Sequence, residues 1–313
     1  MNNIWLDFER PIQELVKKID ELRGMPGVED ELERLQIQAE RVKKKVYSNL
    51  TRWQRVQLAR HPKRPYSLDY IKLIIEDFVE LHGDRRFSDD WAIVAGIGRF
   101  NKTSVAIVAE QKGRDMKEKL KRNFGMPHPD GYRKALRVMK LAAKFNMPVI
   151  SFVDTPGAYP GVGAEERGQA EAIAVNLFEC SALPVPIQVV IIGEGSSGGA
   201  LGIAVGDRIM MLENAYYSVI SPEGCASILY RDSSRNKDAA EALRISARDL
   251  QGLGVIDEII SEPLGGAHLD YEMTAANIKK ALIRNFDELL KLPVKDLLTQ
   301  RVEKFRKMGV YKE

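Results

Sequence analysis

Two apolar runs, residues 149–153 and 187–192, each break off into a glycine-rich turn that leads into helix-forming sequence, and no other feature restricts the fold as tightly. The first turn reads Asp154-Thr155-Pro156-Gly157-Ala158-Tyr159-Pro160-Gly161-Val162-Gly163 and enters Ala164-Glu165-Glu166. The second reads Gly193-Glu194-Gly195-Ser196-Ser197-Gly198-Gly199-Ala200-Leu201-Gly202 and enters small residues through Val205. Apolar runs this short are below ordinary helix length and suit strands covered on both faces. Similar runs occupy 93–97, 105–109, 209–212 and 217–220. Helical spacing recurs between them, most clearly at Ala170, Ile173, Ala174, Leu177 and Phe178. Strand and helix thus alternate from about residue 90 to 262, which predicts an α/β core.

The chain before that core is helical by period. Ile12, Leu15, Ile19 and Leu22 form one stripe, Leu32, Leu35, Ala39, Val42 and Val46 another, and Gly24-Met25-Pro26-Gly27 lies between them. Glycine and proline interrupt a helix at a cost of about 1 and 3 kcal/mol, so the two runs are expected to fold back as an antiparallel hairpin. A further helix is expected from Ser67 through Ile71, Ile74, Ile75, Phe78 and Val79 to a stop at Gly83, with no sheet before residue 90. A last helix carries Ala275, Ile278, Leu282, Phe286 and Leu289. No repeat of fixed period and no low-complexity linker divides the chain. The expected division is a helical hairpin extension over 1–65 and one domain over 66–313.

Each glycine turn delivers unpaired backbone N–H groups to the start of a helix, where the macrodipole is positive and a ligand meets no β-carbon. Two such turns on neighbouring strands can hold one negative oxygen from two sides. That is the arrangement of an oxyanion hole, each donor of which contributes about 2.7 to 4 kcal/mol in the transition state. The other reading of these glycines is tight turns and close helix–sheet packing alone. Neither turn ends in Gly-Lys-Ser/Thr, which excludes a P-loop, and the second lacks dinucleotide-binding spacing.

Side-chain catalysts are scarce. His61, His82, His128 and His268 are scattered without zinc-ligand spacing, and no metal site is expected. Ser196 and Ser197 lack the flanks of a nucleophile elbow and serve equally well as helix N-caps. Glu165 and Glu166 open a helix, where carboxylates answer the dipole, although one is also a candidate base for a hydratase; Arg167 is expected to pair with them.

Forty-seven Lys and Arg against forty-four Asp and Glu leave +3, which argues against a protein coated in positive charge for nucleic acid. Two cysteines, Cys180 and Cys225, give neither a disulfide framework nor a four-thiolate zinc site, and point to a reducing interior. With no apolar stretch long enough to span a bilayer and no secretory signal, the expectation is a soluble cytoplasmic protein without a membrane partner. One local exception stands out. Residues 112–144 hold eleven Lys or Arg against Asp115, Glu118 and Asp130, around the turn Asn123-Phe124-Gly125-Met126-Pro127-His128-Pro129. This is either a solvated helical face or a surface that attracts an anionic ligand or partner; sparse aromatics disfavour nucleic acid.

Together with Glu80-Leu81-His82-Gly83-Asp84-Arg85, Arg122-Asn123-Phe124-Gly125-Met126, Gly131-Tyr132-Arg133-Lys134-Ala135-Leu136-Arg137, Tyr217-Ser218-Val219-Ile220-Ser221-Pro222-Glu223-Gly224 and Ile260-Ser261-Glu262-Pro263-Leu264-Gly265-Gly266-Ala267-His268, the two turns make nearly the whole chain resemble one family. That family is the alpha subunits of bacterial acetyl-coenzyme A carboxylase carboxyltransferase. The resemblance implies a crotonase-like (ClpP/crotonase) α/β fold of repeated strand-strand-helix units. It implies transfer of a carboxyl group from carboxybiotin, borne by a biotin carboxyl carrier protein, to acetyl-coenzyme A, giving malonyl-coenzyme A for fatty acid biosynthesis. A zinc-bearing beta subunit would complete each active site in an alpha2beta2 assembly, with ATP used by biotin carboxylase in a separate step. On this chain the Gly198 and Gly199 amides would hold the ureido oxygen, with Gly157 and Ala158 contributing from the facing turn. Gly195, Ser196, Ser197 and Tyr159 would line the biotin end. Ser196 departs from the glycine expected in many relatives. Two other readings stand beside this one: a self-sufficient crotonase-type hydratase or thioesterase using Glu165 or Glu166, and a noncatalytic scaffold. Valine at Gly199 is expected to leave folding intact while abolishing transfer.

Overall fold

The computed structural model describes residues 4–309. Eight strands, β1 (Glu76–Glu80), β2 (Ile93–Phe100), β3 (Thr103–Glu110), β4 (Val149–Thr155), β5 (Ile187–Ser196), β6 (Arg208–Leu212), β7 (Tyr216–Ser218) and β8 (Glu258–Ile260), form one sheet. Its order is β1-β2-β3-β4-β5-β6-β8, with β7 paired to the far end of β5. The first three strands are antiparallel and the remaining pairings parallel. Strands β4 and β5 are buried along their whole length, which is why they read as unbroken apolar runs rather than alternating ones. Helix Pro129–Lys144 packs on β2 and β3, and helix Tyr271–Leu289 packs on β5 and β8. The stripe expected on the latter, Ala275 to Leu289 at helical spacing, is buried as predicted.

The N-terminal hairpin forms from helices Arg10–Leu22 and Glu29–Ser48, which pack together across a turn with Gly24 and Gly27 at φ +91° and +81°. Ile12, Leu15 and Ile19 are buried, whereas the second helix has no fully buried residue. Helix Arg52–Ala59 follows, capped by Thr51, whose Oγ1 accepts the Gln54 amide at 3.2 Å. Residues 52–64 are built into the body. Arg64, 1% exposed, makes a bidentate pair with Glu262 (2.6 and 3.0 Å) and donates to Ile192 O at 2.7 Å.

Three local expectations are corrected. The helix from Ser67 ends at Ile74, and Glu76–Glu80 is the edge strand β1, so the sheet begins before residue 90. A strand there needs space on its neighbour: a β-carbon on Gly96 would lie 2.7 Å from the Phe78 ring, and one on Gly98 would press on Ile75 and Glu76. The second correction concerns helix Gln169–Ser181, which buries Ala172, Asn176 and Cys180 instead of its apolar stripe. Phe178 is 77% exposed, and Ala170 and Ala174 also face outward. Finally, the run 217–220 forms a strand only over Tyr216–Ser218, and β8 had no apolar signature long enough to be seen.

Candidate oxyanion site at two glycine turns

Pairing of β4 with β5 places Thr155 opposite Gly195, so the two glycine turns leave the same end of the sheet side by side. They touch. A β-carbon on Gly199 would lie 2.5 Å from Ala158 N and 2.8 Å from Gly157 Cα, closer than real side chains come to backbone. Only glycine lets the second turn rest against the first. The expectation that valine at Gly199 leaves folding intact is therefore corrected: the added atoms would drive the turns apart. Gly198 is different, since a β-carbon there would sit 3.5 Å from Ile173 Cδ1, an ordinary contact.

The amides of these turns divide into two groups. Gly157 N–H donates inward to Thr155 Oγ1 at 3.1 Å, and the same hydroxyl lies 2.7 Å from Gly125 O and 2.8 Å from Gly157 O. Tyr159 N–H donates to Pro127 O at 3.0 Å. Among the described residues, the amides of Ala158, Gly198 and Gly199 have no acceptor. The last two open helix Ser197–Leu201, at its positive end, with no side-chain cap from Ser196. Gly157 thus shapes its turn through a bond of its own, and the amide left without an acceptor on that side is that of Ala158.

The four residues expected at the biotin end are split between sheet and surface. Gly195 and Ser196 are buried in β5, and a β-carbon on Gly195 would meet the Tyr217 ring at 2.7 Å. Ser197 is exposed, at φ +57°, and adjoins an apolar cavity of about 410 Å³ lined by Leu201, Tyr217, Val219, Leu250 and Phe305. Tyr159 is half-buried and stacks on His128 with ring centroids 4.1 Å apart.

Beneath both turns lies a charge cluster that sequence reasoning did not find. Lys112 Nζ donates to Asp154 Oδ1 (2.8 Å) at the root of the first turn and to Glu194 Oε1 (2.7 Å) at the root of the second. Glu194 Oε2 also takes bonds from Arg60 Nε (2.8 Å) and from the Tyr216 hydroxyl (2.7 Å). Burial pushes the Glu194 carboxyl up, but Lys112 and Arg60 outweigh it and hold the group at about 2. Lys112 is correspondingly held charged, its attraction to the two carboxylates outweighing its own desolvation. Glu110, fully buried with no cation in contact, is pushed well up by desolvation and accepts the Asp154 amide at 3.0 Å. A signal was available in the sequence: an acidic residue stands first or second in each turn, and a lysine follows β3. Nothing in the pattern said they would meet.

The cationic stretch resolves into neither simple alternative. Lys112 is spent beneath the turns, Lys134 is buried on Asp89 (2.6 Å) and Asp90 O (2.7 Å), and Arg133 bonds Asp84 (2.9 Å) and Asp130 (2.7 Å). Lys134 and Arg133 pin the segment 82–92 to helix Pro129–Lys144. Arg167 pairs with Asp130 at 3.1 Å and lies over the Phe87 ring, not with Glu165 or Glu166 as expected. Both of those glutamates are exposed, on the short helix Val162–Glu166. Among the described residues no group of three His, Cys, Asp or Glu is placed to hold a metal ion, and Cys180 and Cys225 are free and buried. No helix of the described residues is long and apolar enough to cross a membrane.

Residues 5–309 match the family described as acetyl co-enzyme A carboxylase carboxyltransferase-like. The acetyl-coenzyme A carboxylase carboxyl transferase subunit alpha of Geobacter metallireducens is 56% identical over 98% of both chains. Its counterpart in Neisseria meningitidis is 54% identical over the full length of both. The chain belongs to this carboxyltransferase family. Solved structures agree at the level of fold: transcarboxylase 12S superimposes with a TM-score of 0.61 at 20% identity, over 75% of this chain and 44% of its own. A Pseudomonas malonate decarboxylase hetero-tetramer gives 0.58 at 15% identity, over 69% of this chain and 86% of that one. The crotonase-like fold of these carboxyltransferases is the fold seen here, and the touching turns are its candidate site. Carboxyl transfer is accordingly the favoured chemistry over the hydratase, thioesterase and scaffold readings.

Proposed function

We propose that this chain supplies the biotin half of an acetyl-coenzyme A carboxylase carboxyltransferase, in which a carboxyl group passes from carboxybiotin to acetyl-coenzyme A and malonyl-coenzyme A is formed. The observation that carries the reading is the contact of Gly199 with the backbone of Gly157 and Ala158, beside three amides that have no acceptor among the described residues. Such amides suit an oxygen that gains negative charge during reaction, because they are already aimed and need no reorganisation. Carboxybiotin fits this donor set: when bound it supplies the carboxyl group and then a basic ureido nitrogen to take the α-proton.

The residues of this chain then hold and exclude. Gly198 and Gly199, with Ala158 opposite, hold the ureido oxygen. Gly157 keeps Ala158 in place through Thr155. The apolar cavity beside Ser197 and Tyr217 shields the ring and its arm from water, while Tyr159 closes the other side against His128. The protein needs donors and positioning more than an acid–base side chain, which agrees with the absence of a histidine from the turns.

The acetyl-coenzyme A end is assigned to a zinc-bearing beta subunit in an alpha2beta2 complex. A biotin carboxyl carrier protein delivers the biotin, and biotin carboxylase recharges it with ATP, all in the cytoplasm. Support for a partner comes from Phe178, 77% exposed on helix Gln169–Ser181 beside the half-buried Ile173 and Leu177. We divide the chain into a hairpin extension over 1–65 and a carboxyltransferase domain over 66–313, with residues 52–64 as the joint. The test is malonyl-coenzyme A formation from carboxybiotin: no turnover by this chain alone and turnover on adding the beta subunit are expected, and full activity of the isolated chain would overturn the reading.

A further inference from the structure

On the other side of helix Pro129–Lys144 from the sheet, a cavity of about 500 Å³ opens between that helix, helix Gln169–Ser181 and the segment after β1. Its size lies in the range of small-molecule sites. Arg85, Arg86 and Arg137 line it, and among the described residues none of the three guanidiniums has a carboxylate within 4 Å, although Arg86 N–H donates to Asp84 Oδ1 at 2.9 Å and Arg133 and Arg167 nearby are paired. Instead, Arg85 Nη1 and Arg137 Nη2 both donate to His82 O, at 2.8 and 3.2 Å, and Arg137 Nε donates to Gly83 O at 3.1 Å. Two like charges are thus gathered on one carbonyl. Arg85 adopts φ +67° to reach it, a conformation unfavourable for a side chain of this kind. Burial and the neighbouring Arg85 lower the Arg137 guanidinium from its ordinary value by more than Asp89 and Asp84 raise it.

The acidic groups around the cavity relieve these like charges only in part. Asp84 is bound to Arg133 and Glu179 to Lys140, at 2.9 Å each, which leaves Glu171 without an ion-pair partner among the described residues. One more polar atom is unsatisfied. Asn176, 1% exposed and on the cavity wall, gives both its amide hydrogens to Tyr132 O and Gly202 O at 2.9 Å, while its Oδ1 is buried with no hydrogen-bond partner. Converging guanidiniums match the oxygens of a phosphoryl group, and a free amide oxygen asks for a donor.

We propose that this cavity is a second binding site, separate from the glycine turns, for a small phosphorylated molecule: its phosphoryl group lies on Arg85, Arg86 and Arg137, and an adjoining O–H or N–H donates to Asn176 Oδ1. The proposal does not depend on the carboxyl-transfer reading. Calorimetric titration of the full chain with inorganic phosphate and with ribose 5-phosphate, at constant ionic strength, tests it. Saturable binding is expected for both, tighter for the hydroxyl-bearing ligand. The double variant Arg85→Gln, Arg137→Gln is expected to bind at least about tenfold more weakly with an unchanged melting temperature, and Lys117→Gln to bind normally. Three results would overturn it: no saturation by about 10 mM ligand, an affinity indifferent to the double variant, or loss of beta-subunit binding by that variant while the parent chain ignores both ligands. The last would make the arginines a protein interface. Equal affinity for the two ligands would remove Asn176 from the site. Should the double variant fail to fold, Arg86→Gln alone gives the same comparison.

Discussion

The amide of Glu194 donates to Asp154 Oδ1 at 2.9 Å, so the root of the second glycine turn is fastened to the root of the first. The same oxygen meets Lys112 at 2.8 Å, and a β-carbon on Gly193 would collide with the Asp154 carboxylate. Backbone, ammonium and carboxylates therefore fix how far apart the turns stand, one layer below the atoms that face a ligand.

Lys112→Met leaves two carboxylates beneath the turns without their shared cation. Removing one partner of a buried ion pair costs about 3–5 kcal/mol. We expect a loss of that size in denaturant unfolding. Lys112→Arg should recover part of the stability and less of the transfer activity, because its fork does not reproduce the single-point geometry. Equal stability of Lys112→Met and the parent would refute the bridging role.

Gly198→Ala and Gly199→Ala separate packing from position. The first adds a methyl at ordinary contact distance from Ile173 and should keep the parent's stability and most of its transfer rate. The second overlaps the facing turn and should cost about 1–3 kcal/mol of stability. Its transfer rate should fall about 100-fold or more, the size of a misplaced oxyanion donor. Two variants that behave alike would argue against contact between the turns.

Acid should loosen the site before it melts the sheet. Glu194 is held at about 2 in the fold, below its value in an unfolded chain, so its stabilisation is complete above about pH 4.3 and is lost as pH falls toward 2. The contribution is on the order of 3 kcal/mol. Unfolding free energy measured from pH 5 to 2 should decline over that window, and Glu194→Gln should flatten the decline. A slope unaffected by that substitution would place the lost protons elsewhere.

Phe178→Asp tests the exposed aromatic on helix Gln169–Ser181. At 77% exposure the side chain contributes little to the isolated chain, so the melting temperature should stay put. Binding to the beta subunit should weaken about 30-fold, as for a central aromatic of an interface. Unchanged assembly would move the partner surface to another face.

Much of this architecture was legible in advance. The buried parallel strands announced themselves because strands covered on both faces must be apolar throughout, and the hairpin because Gly24 and Gly27 interrupt two clean stripes. Edge strand β1 was hidden, since Ile71, Ile74, Ile75 and Phe78 satisfy helical spacing whether or not the helix stops, and its true signal lay in the glycines of β2. Helix Gln169–Ser181 misled because Ala170, Ala174 and Phe178 keep helical spacing whether or not the body of the fold covers them. At the site, both turns were readable, yet which amides stay free was not: that depends on Thr155 bending back to Gly157, a matter of side-chain rotation. The Lys112 cluster was invisible because its members are about 40 residues apart in sequence and converge only through parallel pairing.

Because the two turns hang from one ammonium inside the sheet, they form a preassembled half-socket. The entropy of gathering its amides is surrendered once, during folding, and not again at each turnover. On the proposed reading a visiting substrate finds them already in formation, and a neighbouring subunit has only to close the lid on an arrangement it did not make.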